Sequence, residues 1–377
     1  MNGKRATPGV TGARDTGRSH WHGAVGSSAG GGRGRAAEEP AVSPEVCPLC
    51  QQRDVRTLDD VAIGAIVRGY QGSGLGVSTA ALFGKRLSGR IPLVQCLSCR
   101  LRWFANAPWG DAAFYEQLQV HPWYYQAYKP EFSFAAAHVG PSARVLEIGC
   151  GSGAFAHCLP EGTAYKGLEF NDAAVRKACG AGLHVEKLPL AEEAAARPGH
   201  YDAVVHFQVL EHVPDPLGFL RDAAAAIRPG GRMIVAVPAE DSFIGIAESC
   251  WLNMPPHHLT RWSDACLEGA MERIGLRVEE IWHEPVAEAH AHWREDVLLT
   301  CGLRQLLRQQ PRLSSSRVIS GLKRLARRSP RLCAWLRARA LRAFPQALHG
   351  HSVCIVARKL APAAVSEQAR GPGATDA

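Results

Sequence analysis

The chain has 377 residues, 46% hydrophobic and 21% charged, a composition that supports one sizeable core and a smaller companion unit. No run of about 18 apolar residues occurs, which argues against a membrane-spanning helix. The N-terminus is rich in Gly, Arg and Ser, without the apolar stretch of a secretory signal, so a cytoplasmic location is expected. The net charge of +8 is uneven: residues 1–37 carry +5, residues 302–345 carry +12, and the remainder is acidic at −9. The basicity therefore sits in two appendages and describes neither the core nor an active site.

Residues 1–43 hold ten glycines and little apolar periodicity, which predicts a disordered tail, and 361–377 read the same way. Residues 44–106 form a small unit bounded by Cys47-Pro-Leu-Cys50 and Cys96-Leu-Ser-Cys99. In a reducing compartment such pairs read as metal ligands before disulfides. Four thiolates make a closed tetrahedral site, so a zinc ion there would be structural. The long gap between the pairs leaves coincidence or a redox role as alternatives. Residues 107–137 are an aromatic-rich linker or cap, with Trp109, Phe114, Tyr115, Trp123, Tyr124, Tyr125 and Tyr128.

From 138 to 290 the pattern alternates. Strands are expected at 144–148, 165–168, 184–187, 203–207 and 233–237, and helices at 173–179, 192–197 and 216–227. Two later runs, 277–282 and 352–357, read as closing strands. Short β-rich runs separated by helices of this length imply βαβ units and a parallel sheet. The expected fold is thus a Rossmann-like α/β domain with a mostly parallel seven-stranded sheet, a small N-terminal zinc-binding module and a helical basic insertion. The insertion spans 291–349, before a last core strand at 350–360.

The densest chemical signal is Val145-Leu-Glu-Ile-Gly-Cys-Gly-Ser-Gly-Ala-Phe155, an apolar strand that meets Gly149, Gly151 and Gly153 and then a helix. Glycines belong where a turn is tight and a ligand approaches the backbone. Dinucleotide-binding enzymes share that feature, and a ligand-free turn does too. Three details favour S-adenosylmethionine. The spacing is Gly-x-Gly-x-Gly. Glu147 precedes the loop, where it can face an ammonium. Glu169 ends the second strand, where an acid meets ribose hydroxyls. Downstream, Gln208, Glu211 and His212 follow a fourth strand, at the end where open sheets bind ligands. His257 and His258 follow a fifth, in Pro-Pro-His-His, and an imidazole can take a proton from a hydroxyl or a carbon acid. Which of His212, His257 and His258 would be the base is left open.

This order of motifs resembles the class I S-adenosylmethionine-dependent methyltransferases. Glu147-x-Gly-x-Gly-x-Gly153, Glu169, Leu210-Glu-His212 and Arg228-Pro-Gly-Gly231 carry the resemblance. It implies that the glycines line the methionine part, that Glu169 meets the ribose and that Phe170 meets the adenine. Glu186-Lys-Leu-Pro189 lacks the acid often found at the adenine, which leaves that contact open. The histidine segment is similar to one in ubiquinone-type O-methyltransferases and deoxysugar C-methyltransferases, and the cysteine unit resembles zinc-binding regions ahead of some sugar methyltransferases. The expected substrate is a small molecule, a sugar or secondary metabolite, methylated on oxygen or carbon. Two rivals are an RNA methyltransferase with a zinc ribbon and a non-catalytic cofactor-binding scaffold. Against RNA, residues 47–106 contain no Lys/Arg cluster, and few aromatics interleave with the basic charge of 302–345. That segment reads as amphipathic helices with a solvated face, or as a surface for an anionic membrane or an acidic partner.

Overall fold

The computed structural model describes residues 46–361, apart from 73, 75, 120, 122, 123 and 125. The two predicted tails, together with Trp123 and Tyr125, lie outside the described residues. The first stretch comprises β1 (Val55–Ala62), α1 (Ile63–Gln71), α2 (Gly76–Phe83), β2 (Arg90–Cys96) and β3 (Arg102–Phe104), followed by α3 (Ala112–Gln119). The alternating region runs α4 (Pro130–Ala137), β4 (Arg144–Ile148), β5 (Ala164–Leu168), α5 (Asp172–Gly180), β6 (Val185–Glu186), α6 (Leu190–Ala196), β7 (Tyr201–Phe207), α7 (Pro216–Ala226) and β8 (Ile227–Pro238). Then come β9 (Thr260–Arg261), α8 (Asp264–Arg273), β10 (Leu276–Pro285), α9 (Glu288–Leu306), α10 (Arg317–Ala326), α11 (Pro330–Ala343) and β11 (His349–Lys359).

The large sheet has seven strands in the order β10-β11-β8-β7-β4-β5-β6. The pairs among β8, β7, β4, β5 and β6 are parallel, and β11 is antiparallel to both of its neighbours. From β4 the chain builds outward to β5 and β6, then crosses back to β7. The β4–β7 crevice is therefore the topological switch point, where open sheets of this kind bind ligands. Val145, Leu146, Val204, Val205 and Val235 are fully buried, as strands covered on both faces require.

All seven expected strands form. One local expectation fails: the glycine loop leads not into an α-helix but into a short 3₁₀ turn at Ala154–Cys158. Leu159, which caps it, is extended (φ −75°, ψ 149°), because the following Pro160 disfavours helical geometry in the residue before it.

A second sheet, antiparallel throughout, has the order β1-β2-β3-β9. Its last strand comes from the far side of the alternating region, so the N-terminal module and the segment after β8 share one sheet. Glu240 locks this junction. Its carboxylate lies 2.7 Å from Arg261 and also meets Arg102 of β3, and the side chains of Glu240 and Arg261 are almost wholly buried. The basic insertion packs rather than floats. Val297, Leu298 and Cys301 of α9 meet Phe243, Ile244 and Ala340, while Leu299 and Leu303 meet Ile319 and Leu336.

Removing one partner of a buried ion pair leaves the other charge uncompensated. Glu240→Ala is expected to lower the unfolding free energy by on the order of 3–5 kcal/mol, and Glu240→Gln by less. Urea denaturation measures both; a loss in Glu240→Ala of under about 1 kcal/mol, the worth of an exposed pair, would contradict the clamp.

Candidate functional site

A cavity of about 620 Å³ opens at the C-terminal ends of β4 and β7. Its wall includes nearly every residue singled out from the sequence: Glu147, Gly149, Gly151, Glu169, Phe170 and Gln208 at one end, and His212, His257 and His258 at the other. Gly153 stands off the wall. It has φ +80°, and a Cβ there would come within 2.2 Å of Leu183, so its role is to let the turn pack against that side chain. Gly149 (φ +69°) leaves room for Val209, which a Cβ would meet at 2.6 Å.

The glycine loop is held by Glu169. One carboxylate oxygen accepts from the Gly151 N–H at 2.8 Å, and the other accepts from the N–H groups of Phe170 and Asn171, both at 2.8 Å. Burial pushes this carboxyl up, and the three N–H donors oppose the shift by favouring the anion. Glu147 accepts a 2.5 Å hydrogen bond from the Tyr165 hydroxyl. Burial pushes it up to about 8, although that hydrogen bond favours the anion. Lys187, in the segment that lacks the expected acid, reaches the wall and pairs with Asp172 at 2.8 Å. Gln208 adopts φ +57°, and its side-chain amide donates to Ser352 Oγ on β11 at 3.2 Å.

At the opposite end three imidazoles converge, with one ring nitrogen of each within 4.8 Å of the others. The ring centroids of His257 and His258 are 4.3 Å apart, and those of His212 and His257 are 4.6 Å apart. Each Nδ1 faces an oxygen: His212 the carbonyl of His257 at 2.5 Å, His257 the carbonyl of Leu252 at 2.9 Å, and His258 Oδ1 of Asn253 at 2.9 Å. A carbonyl only accepts, so the Nδ1 of His257 and of His258 carries the proton and their Nε2 keeps its lone pair, whereas His212 meets a second carbonyl, that of Gln208. Burial holds His212 down at about 4, and holds His257 and His258 well below the ordinary imidazole range. All three are neutral at physiological pH.

Tyr115, one of the aromatics of the 107–137 cap, is on the wall, but sequence reasoning missed Glu131, Glu284 and His351. Tyr115 of α3 sets its hydroxyl 3.3 Å from His212 Nδ1, and Glu131 of α4, Glu284 of β10 and His351 of β11 line the third side. No motif marks the last three. Glu131 in particular reads as an ordinary acid in the first turn of a helix, yet it is 2% exposed.

The four cysteines also meet. Cys47 Sγ lies 3.4 Å from Cys99 Sγ, and Cys50 Sγ lies 3.4 Å from Cys96 Sγ. The two turns are built alike. Cys47 N–H donates to Gln52 O and Gln51 N–H to Cys47 O; Cys96 N–H donates to Leu101 O and Arg100 N–H to Cys96 O. Gln51 and Arg100 occupy the same left-handed position, at φ +63° and +65°. A fifth thiol, Cys266, lies beside Cys99.

Comparison with known proteins agrees with this layout. Residues 120–281 match the family model described as a methyltransferase domain. The chain is 31% identical over 152 residues to the ubiquinone biosynthesis O-methyltransferase of Nitrosospira multiformis, covering 36% of this chain and 64% of that protein. It is 29% identical over 151 residues to the same-named protein of Ralstonia nicotianae, covering 34% and 61%. The chain thus spans less than two thirds of the length of these relatives. Among solved structures it is similar to a SAM-dependent methyltransferase from Archaeoglobus fulgidus, with 19% identity, TM-score 0.41, and 60% of this chain and 94% of that one covered. It is also similar to the 1,6-didemethyltoxoflavin-N1-methyltransferase of Burkholderia thailandensis, with 15% identity, TM-score 0.40, and 72% and 96% covered.

The Glu147 carboxyl, raised from 4.5 to about 8, keeps its proton in the folded protein at pH values where the unfolded chain has lost it. Stability therefore falls as pH rises through that window. Glu147→Gln, neutral throughout, is expected to exceed the wild type by up to a few kcal/mol at about pH 8.5, with no such gain near pH 4.5. Thermal melts at both values test this, and an identical difference at the two would contradict it.

Proposed function

We propose that this chain, whose residues 120–281 match a methyltransferase-domain family model, is a class I S-adenosylmethionine-dependent methyltransferase that transfers a methyl group to an oxygen of a small hydroxyl-bearing molecule. One observation carries the reading: the motif residues for the cofactor and a trio of neutral imidazoles face each other across a single cavity. Three features of the cavity fit the cofactor. Positive-φ glycines bring bare backbone to the wall, Glu169 stands buried at the end of β5, and an aromatic ring follows it at Phe170.

In this reading Gly149 and Gly151 flank the methionine portion, Glu147 faces its ammonium, Glu169 takes the ribose hydroxyls and Phe170 covers the adenine. S-adenosylmethionine, when bound, supplies an electrophilic methyl group on a sulfonium sulfur. The protein's own contribution is alignment and exclusion of water. One of His212, His257 and His258 accepts the proton of the acceptor hydroxyl at its Nε2 lone pair, and Tyr115 and Tyr124 close that end against solvent. The ubiquinone O-methyltransferase relatives favour oxygen as the acceptor atom over carbon, and a small molecule over RNA.

The four cysteines are read as a structural zinc site. A tetrahedral ion about 2.3 Å from each sulfur sets the sulfurs about 3.8 Å apart, close to the separations seen here. The paired turns give both thiols of each knuckle the same inward aim. All four positions are filled by sulfur, so the ion serves the fold, as expected in a reducing cytoplasm. Among the described residues no helix is long and apolar enough to cross a membrane. The exposed Leu325 and Trp335, interleaved with the arginines of α10 and α11, suit contact with an anionic surface.

Calorimetric titration with S-adenosylmethionine tests the cofactor. Glu169→Ala removes the anchor of the glycine loop and the ribose acceptor together, and is expected to weaken binding at least about tenfold. Full affinity in this variant would remove the assigned contact, and a folded wild type that binds no cofactor would remove the function. Metal analysis of Cys47→Ser is expected to show less than the one equivalent of zinc held by the wild type at this site; unchanged content would refute the four-cysteine assignment.

A further inference from the structure

The imidazole trio has a property that hydrogen bonding to a substrate does not require. Each ring is locked by an Nδ1 contact to a main-chain or amide oxygen, an arrangement that orients metal-bound histidines and sets their tautomer. One ring nitrogen of each histidine lies within 4.8 Å of the others. Beside them Glu211 is 1% exposed, and neither of its carboxylate oxygens has a hydrogen-bond partner. Its Oε1 lies 3.8 Å from Nε2 of His212 and 3.8 Å from Nε2 of His258, while Nε2 of His257 is itself buried without a partner. Unpaired buried polar atoms are costly, and a carboxylate and an imidazole left so, side by side, share one deficit: a cation between them.

We propose that His212, His257 and His258 bind a divalent transition metal through Nε2, with Glu211 as the adjacent charge-balancing carboxylate. Imidazole donors select zinc, iron, cobalt or nickel over magnesium or calcium. Three protein nitrogens leave a coordination position open, as in catalytic sites, whereas the four-cysteine site is closed. All three histidines line the cavity, so the open position faces the acceptor end.

The site stands on geometry alone, while its role rests on the methyltransferase reading. There it deepens that reading: the trio acts on the acceptor through the metal rather than directly. An acceptor hydroxyl in the open position would be acidified by the ion and would give up its proton to solvent water. The oxygen's electron pair then forms the bond to the methyl carbon as the carbon–sulfur bond breaks toward sulfur, leaving a methyl ether and a neutral thioether.

Cobalt(II) titration of the full chain, after treatment with a chelator, distinguishes the two metal sites spectroscopically. Cobalt on thiolates gives intense near-ultraviolet charge-transfer bands, whereas cobalt on imidazoles gives visible bands without them. The expected result is two equivalents, one of each kind. His257→Ala/His258→Ala should lose the imidazole-type equivalent and keep the thiolate one, and Cys47→Ser should do the reverse. Asn253→Ala, which removes only the oxygen facing His258 Nδ1, should weaken the imidazole-type site roughly 10–100-fold. A folded wild type that takes up cobalt only as thiolate-type bands overturns the proposal, without depending on any variant. Survival of the imidazole-type bands in the double variant overturns it too. Titration of the same samples with S-adenosylmethionine separates the two readings, since failure to bind cofactor removes the methyltransferase role and leaves the metal site untouched.

Discussion

The geometry of the site depends on one residue's main chain. The Leu259 N–H donates to the carbonyl of Glu211 at 2.8 Å, and its carbonyl accepts from the N–H of Phe104 at 2.9 Å. The first bond ties the segment after β8 to the loop that ends β7; the second ties it to the N-terminal module. His257 and His258 immediately precede this residue, and β9 immediately follows it. The histidine pair is therefore placed over His212 by backbone bonds on both sides, which fix position far more tightly than side-chain packing alone. Glu240, bridging Arg261 and Arg102, makes the same connection with charge.

This arrangement joins two chemistries that look separate in the chain. The first cysteine knuckle precedes β1 and the second joins β2 to β3; β3 pairs with β9, and β9 begins two residues after His258. A metal at the cysteines would stabilise the sheet whose last strand directly follows the histidine segment. The module is thus part of the scaffold that aims the acceptor end, not an appendage beside it.

The large sheet was legible because its signals are local. Each strand is a short apolar run, the glycine loop and the two acids sit at fixed offsets from strands, and each cysteine pair carries its own spacing. The remainder was not legible because it is built from long-range contacts. Strand β9 is two residues long and pairs across more than 150 residues with β3, which no periodicity can announce. Glu131, Glu284 and His351 reach one cavity from three elements, and each in isolation resembles a residue with no special task. The imidazole trio shows both sides: the His257–His258 pair is visible as a motif, whereas its convergence with His212 and the orphaned Glu211 exists only in three dimensions.

The place of β11 has a consequence for how the chain is made. Among the described residues this strand comes last, yet it lies inside the sheet, between β8 and β10. While the ribosome adds the residues between Pro238 and His349, the outer edge of β8 has no neighbour, and its apolar side chains and free main-chain groups are open to wrong pairing. Ser352, which receives the Gln208 amide, arrives with the same strand. The cavity wall, which includes His351 and Ser352, is thus completed only once β11 has paired with β8 and β10.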